Sequence, residues 1–192
     1  MPEHTPWIGV GSRTCERALV EAFTAIEGVA HEWPWEFHGG RSRTVITPQG
    51  STAGLCSQTV FGHVVVSVDD GRTDLVAMLD AACPLQTPTE LTARFLDASS
   101  PGDRADALLG LASAAAIHRE VTVPKLEQCV ALALDSDEPW LRLIALRAIS
   151  MMPAATAHRL LADREDPANP GLEEWRDHYA EQFADSAPNS SP

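Results

Sequence analysis

Lysine is almost missing from this chain: among 14 Lys and Arg residues only Lys125 is a lysine, and 27 Asp and Glu residues leave a net charge of -13. Affinity for nucleic acid rests on basic side chains that neutralise phosphates and release counterions, so this balance excludes broad binding to phosphate backbones. An acidic surface with pI near 4.8 points to soluble partners instead. No run approaches the ~20 consecutive apolar residues that a membrane-spanning helix needs. Met1 to Gly11 has no basic stretch leading into an apolar core, so a secretory leader is not expected. Cysteine is sparse: Cys15, Cys56, Cys83 and Cys129 lack the close pairing of zinc sites and redox dithiols. That scatter predicts reduced, mostly buried thiols in a reducing compartment, hence a cytoplasmic protein.

Catalytic signatures are missing as well. No phosphate-binding glycine loop occurs, since Gly9-Val10-Gly11-Ser12 has neither a preceding predicted strand nor the later glycine. The nucleophile-elbow pattern G-x-S-x-G is absent.

What is present divides into two parts. Residues 1–12 carry Pro2, Pro6, Gly9 and Gly11 and read as an irregular lead-in. Thr14 is a possible cap for a helix whose stripe is Ala18, Leu19, Ala22, Phe23 and Ile26, ended by Gly28. Next, Trp33, Trp35 and Phe37 alternate with Pro34 and Glu36 in an extended segment that Pro34 restricts to a sheet edge or a loop. Arg43 to Thr47 predicts a strand, Ser51 to Gly54 a loop, and Thr59 to Val68 the strongest strand, apolar enough for burial on both faces. Asp74 to Ala82 reads as a helix closed by Pro84. Residues 1–84 are thus a small α+β unit, and Pro84 to Pro88 marks the boundary.

Beyond it the period is helical. Thr89 is expected to cap a helix to Ala98, a second helix spans Asp103 to His118, and Val121 to Pro124 connects to helices at Lys125 to Leu134 and Trp140 to Met152. A weaker copy starts at Ala154, a polar helix spans Leu172 to Phe183, and residues 185–192 read as a disordered tail. Within this region Leu96, Asp97, Pro101, Arg104, Ala107, Leu108 and Leu111 recur 38 residues later as Leu134, Asp135, Pro139, Arg142, Ala145, Leu146 and Ile149. Matches across chemical types at one offset indicate an internal repeat. Residues 88–184 resemble the HEAT and armadillo-like helical repeats. The resemblance implies that helix pairs stack, that Ala107 and Ala145 allow close approach, and that Asp97, Arg104, Asp135 and Arg142 hydrogen-bond along the stack.

The fold class expected is therefore α+β, a small mixed unit followed by a helical stack over residues 89–184. The leading functional expectation is a non-catalytic adaptor or regulatory subunit with a protein partner, without cofactor or metal and open to self-association. Its anchors would be Trp33, Trp35, Phe37 and Trp175, because aromatic residues concentrate in interface hot spots. Trp140, at a helix start, is expected to pack between repeats. Two rivals remain open. One is a small hydrolase-type enzyme using Cys56 with His63, Asp69 or Asp70, or His38, although nothing in the spacing forces nucleophile and base together. The other is an immunity or antitoxin-type inhibitor, which an acidic surface suits when the target site is basic. A metal site from His31, His38 and His63 is disfavoured, because His31 and His38 would lie ~20 Å apart in an extended segment. The acidic cluster Asp163, Glu165 and Asp166 is too short and irregular for a calcium loop.

Overall fold

A computed structural model describes residues 6–26, 29–34, 41–46, 52–58, 61–68, 72–162, 164, 171, 173–175, 177, 178 and 181. For residues 29–34, 41–46, 52–58, 120 and 121 only the backbone is described. Trp35, Phe37, His38, Asp69, Asp70, Asp163, Glu165, Asp166 and the tail lie outside these residues, as do the side chains of His31, Trp33 and Cys56.

The chain is α+β. Five strands, β1 (Trp7–Ser12), β2 (Val29–Pro34), β3 (Arg41–Ile46), β4 (Thr52–Gln58) and β5 (His63–Val68), form an antiparallel sheet in the order β1-β5-β4-β3-β2. Helices α1 (Glu16–Ala25) and α2 (Thr73–Ala82) are followed by α3 (Pro88–Asp97), α4 (Pro101–Ile117), α5 (Arg119–Leu134), α6 (Pro139–Ile149) and α7 (Ala154–Leu161).

Strand β5 is covered on both faces, as the valine run predicts, because side chains alternate along a strand. Val64, Val66 and Val68 pack with Leu19 and Phe23 of α1 and Leu75 and Leu79 of α2. Val65, with Ile8 and Val10 of β1, joins the helical core of α3 to α7. Gly110 allows the close contact there: a Cβ would lie 3.2 Å from Leu91 Cδ1 and 3.6 Å from Val10 Cγ1.

Several boundaries differ from expectation. Within the expected irregular lead-in, Trp7–Ser12 is strand β1, paired from Trp7↔Val68 to Ser12↔His63. A Cβ on Gly9 would sit 2.3 Å from the Trp7 ring, so the ring occupies the space that a side chain would fill. The predicted loop at Ser51 to Gly54 is largely strand β4, which also carries Cys56. The long strand from Thr59 is shortened to His63–Val68 by a turn at Phe61-Gly62, where Gly62 has φ +76°. Thr14 caps nothing, since Arg13–Cys15 forms a 3₁₀ turn and α1 ends at Ala25 without Gly28. Pro34 ends β2 at the sheet margin, in keeping with its missing N–H.

Thr87, not Thr89, caps α3. Its hydroxyl accepts from Glu90 N–H, and the Glu90 carboxylate accepts from Thr87 N–H at 2.7 Å, with Pro88 in the first turn. Val121 to Pro124 is no connector: α5 runs through it. Thr122, buried in that turn, donates to His118 O at 2.7 Å. The boundary segment is itself held, because Gln86 and Val10 exchange two backbone hydrogen bonds of 2.8 and 2.9 Å. It thereby lies along the outer edge of β1.

Helices α3 to α6 form two rows. Each packs on its chain neighbour, and α3 also touches α5 while α4 touches α6. Ala107, Leu108 and Leu111 in α4, and Ala145, Leu146 and Ile149 in α6, are all buried in one core.

Candidate functional site

Two concave places stand out. The first, a cavity of about 380 Å³, lies where the end of β1, the start of β5, the α2 terminus, α3 and α4 meet. Alternation along β5 puts His63 on the face shared with Val65, toward α4. His63 is only 8% exposed; Nε2 lies 3.3 Å from Asp106 Oδ1 and Nδ1 2.9 Å from Phe61 O. Arg94 on α3 donates to the other Asp106 oxygen at 2.7 Å and to Gln86 Oε1 at 2.9 Å, with Asp103 3.8 Å away. The His63 hydrogen bond, helped by Arg94 and opposed by burial, holds the Asp106 carboxyl below the usual carboxylate range.

Both nitrogens of the His63 ring thus face acceptors. A general base needs a free lone pair aimed at its nucleophile. Ser12, which lines the same cavity, has its hydroxyl 2.6 Å from Thr14 Oγ1 instead. The His63, Asp106, Arg94 and Gln86 chain has the geometry of a clamp joining sheet, boundary segment and helices. Register places Cys56 opposite Val65 and His63 opposite Gln58, so the two residues of the hydrolase expectation lie two positions apart along the sheet.

The same cavity overturns the expectation for two cysteines. Cys15 and Cys83, 68 residues apart, are disulfide-paired with Cα atoms 5.7 Å apart, within the range such a bond requires. Cys129 does meet the buried-thiol expectation, and burial pushes its thiol up to about 12. Among the described residues no group of three or more His, Cys, Asp or Glu could hold a metal ion, and no helix is long and apolar enough to cross a membrane.

The second place is a groove of about 440 Å³ at the turn end of the two helix rows. Leu96 of α3 and Leu132 of α5, 41% and 50% exposed, line it above buried Phe95 and Leu141. Asp135, Ser136, Asp137 and Glu138 rim it. Arg104 lines it as well. Arg104 donates to Ala98 O at 3.1 Å and Arg142 to Ser136 O at 2.7 Å, carbonyls that are themselves 38 residues apart. Each arginine therefore closes the turn of its own helix pair. Asp135 reaches beyond its pair, accepting two hydrogen bonds of 3.0 Å from Arg164.

Among the predicted anchors, Trp175 is partly buried against the helical core, its ring edge-on to His178 at 6.4 Å. Trp140 is 39% exposed. Leu132 was not marked by sequence reasoning; as an apolar residue in an Ala/Leu-rich helix it carried no signal of exposure. No family model, curated protein or solved structure matches this chain.

Proposed function

We propose that this protein is a non-catalytic interaction adaptor, built on a short HEAT-like stack, that docks an apolar and basic segment of a protein partner in the groove between α3 and α5. The carrying observation is the pair of half-exposed leucines, Leu96 and Leu132, side by side beneath an acidic rim. Exposed leucines attract an apolar side chain, while exposed Asp137 and Glu138 favour a cationic neighbour and disfavour an acidic one. Support for the stack comes from the two helix rows, the same turn closure by Arg104 and Arg142, and the buried Ala107 and Ala145.

A photo-crosslinking side chain at position 132, expressed in the native host, tests the reading. The expected result is a crosslink to one other protein through a segment containing Lys or Arg, abolished by Leu96→Glu, and binding of the purified pair that weakens as salt rises. Crosslinks to this chain alone, or the same products from exposed position 17 on α1, would overturn it.

A further inference from the structure

The Cys15–Cys83 bond stands apart from the groove and from the adaptor reading. Both cysteines line the cavity of about 380 Å³, a volume within the range of small-molecule sites. Its other walls set Ser12, His63, Gln86, Arg94 and Asp106 beside Val10, Pro84 and Leu91, so one side of the bond borders a cavity of mixed lining rather than packed side chains. The two cysteines are unequally buried. Cys83 is buried at the end of α2, among Leu75, Leu79 and Leu85, whereas Cys15 is only partly buried in the 3₁₀ turn after β1. Cys129 offers the opposite case, a lone thiol in the helical core that burial keeps protonated.

We propose that Cys15–Cys83 is a thiol–disulfide exchange site that accepts a low-molecular-weight thiol through this cavity. The incoming thiolate attacks Cys15 Sγ, the sulfur of the less buried cysteine; a new S–S bond forms to Cys15, the bond to Cys83 breaks, and Cys83 leaves as a thiolate that takes up the proton lost by the reagent. A second thiol attacks the mixed disulfide and releases Cys15 as a thiol. The protein gains two electrons and two protons, and two small thiols become one small disulfide. The bond ties the start of α1 to the end of α2, directly before the Leu85-Gln86 segment that holds β1, so its state bears on the joint between sheet and helices.

The test uses the full-length chain with Cys56→Ser and Cys129→Ser, leaving only this pair, in buffers of graded reduced to oxidised glutathione. Free thiols are trapped with a maleimide and counted by mass. The expected result is a reversible change between no trapped thiols and two, with a single midpoint. Adding Cys83→Ser should yield one glutathione on Cys15, at least tenfold faster than Cys83 is modified in the Cys15→Ser counterpart. Two trapped thiols in fully oxidised glutathione, no change even in fully reduced glutathione, or equal modification of the two cysteines would overturn the proposal. Should the Cys83→Ser protein fail to fold, the order of attack is read from the parent protein by quenching early and mapping the glutathione adduct; an adduct on Cys83 counts against it.

Discussion

The α3–α4 and α5–α6 pairs share a plan and differ in what surrounds them. Arg104 and Arg142 close equivalent turns, and Leu111 and Ile149 are both fully buried. Where the pairs diverge, the first meets the sheet. Ala105 is 5% exposed while its counterpart Leu143 is 54% exposed, and Asp106, held by His63, corresponds to Ile144. Helix α4 touches β1 and β5. The lesson is that matched positions report the geometry of a helix pair, whereas unmatched ones report its neighbours.

The largest test of the shared plan is truncation of the matched core. Leu111→Ala and Ile149→Ala should each lower unfolding free energy by about 3 kcal/mol, from lost burial and the cavity left behind. Urea unfolding followed by circular dichroism measures both, and a loss under ~1 kcal/mol at Ile149 alone would break the equivalence. Next come the turn arginines. Arg104→Ala and Arg142→Ala should cost about 2 kcal/mol each, the value of a hydrogen bond from a charged donor. Equal losses sustain the comparison, and a neutral Arg142→Ala would show that the second turn stands without its brace.

Smaller effects sharpen the differences. Ser100 caps α4 by accepting from Asp103 N–H at 3.0 Å, while Glu138 makes no side-chain cap for α6. Ser100→Ala should therefore cost about 1 kcal/mol and Glu138→Ala almost nothing. Asp106 adds an acid-dependent contrast. Its folded pKa lies below the unfolded one, chiefly through His63, so its contribution is present above the unfolded carboxylate range and is lost as pH falls through the depressed value. Asp106→Asn should flatten that part of an acid-unfolding profile, whereas Ile144→Asn should leave its shape unchanged. Smallest of all, Leu143→Glu should shift stability by less than about 0.5 kcal/mol, because the side chain is already exposed.

Strong periodicity was readable from the chain, and long-range pairing was not. Strand β5 announces itself through four valines, and the α4 and α6 cores through residues matched at one offset. Strand β1 is concealed because Gly9 and Gly11 break the side-chain pattern on the face they share with Trp7, room that Trp7 and Leu85 fill. Strand β4 is concealed by small and polar residues around Leu55, and the continuity of α5 by Pro124. The cavity joins His63, Arg94 and Asp106 with Gln86, and the disulfide joins positions 68 apart; no local spacing encodes such meetings. The groove was partly legible. Its acidic rim follows from Asp135-Ser136-Asp137-Glu138, but the exposure of Leu96 runs against its match with buried Leu134.

The sheet order carries a consequence for synthesis. Strand β1 leaves the ribosome first, yet its only neighbour within the sheet is β5, so Trp7 waits until Val68 has been made. Until then Ile8 and Val10 have neither their strand partner nor the helical core that later covers them. Strands β2 to β5 can pair in sequence as each emerges, whereas β1 joins by a long-range closure, the slower kind of step. Nascent chains stalled before residue 68 should thus bind a hydrophobic dye through β1, and the full chain released from the ribosome should not.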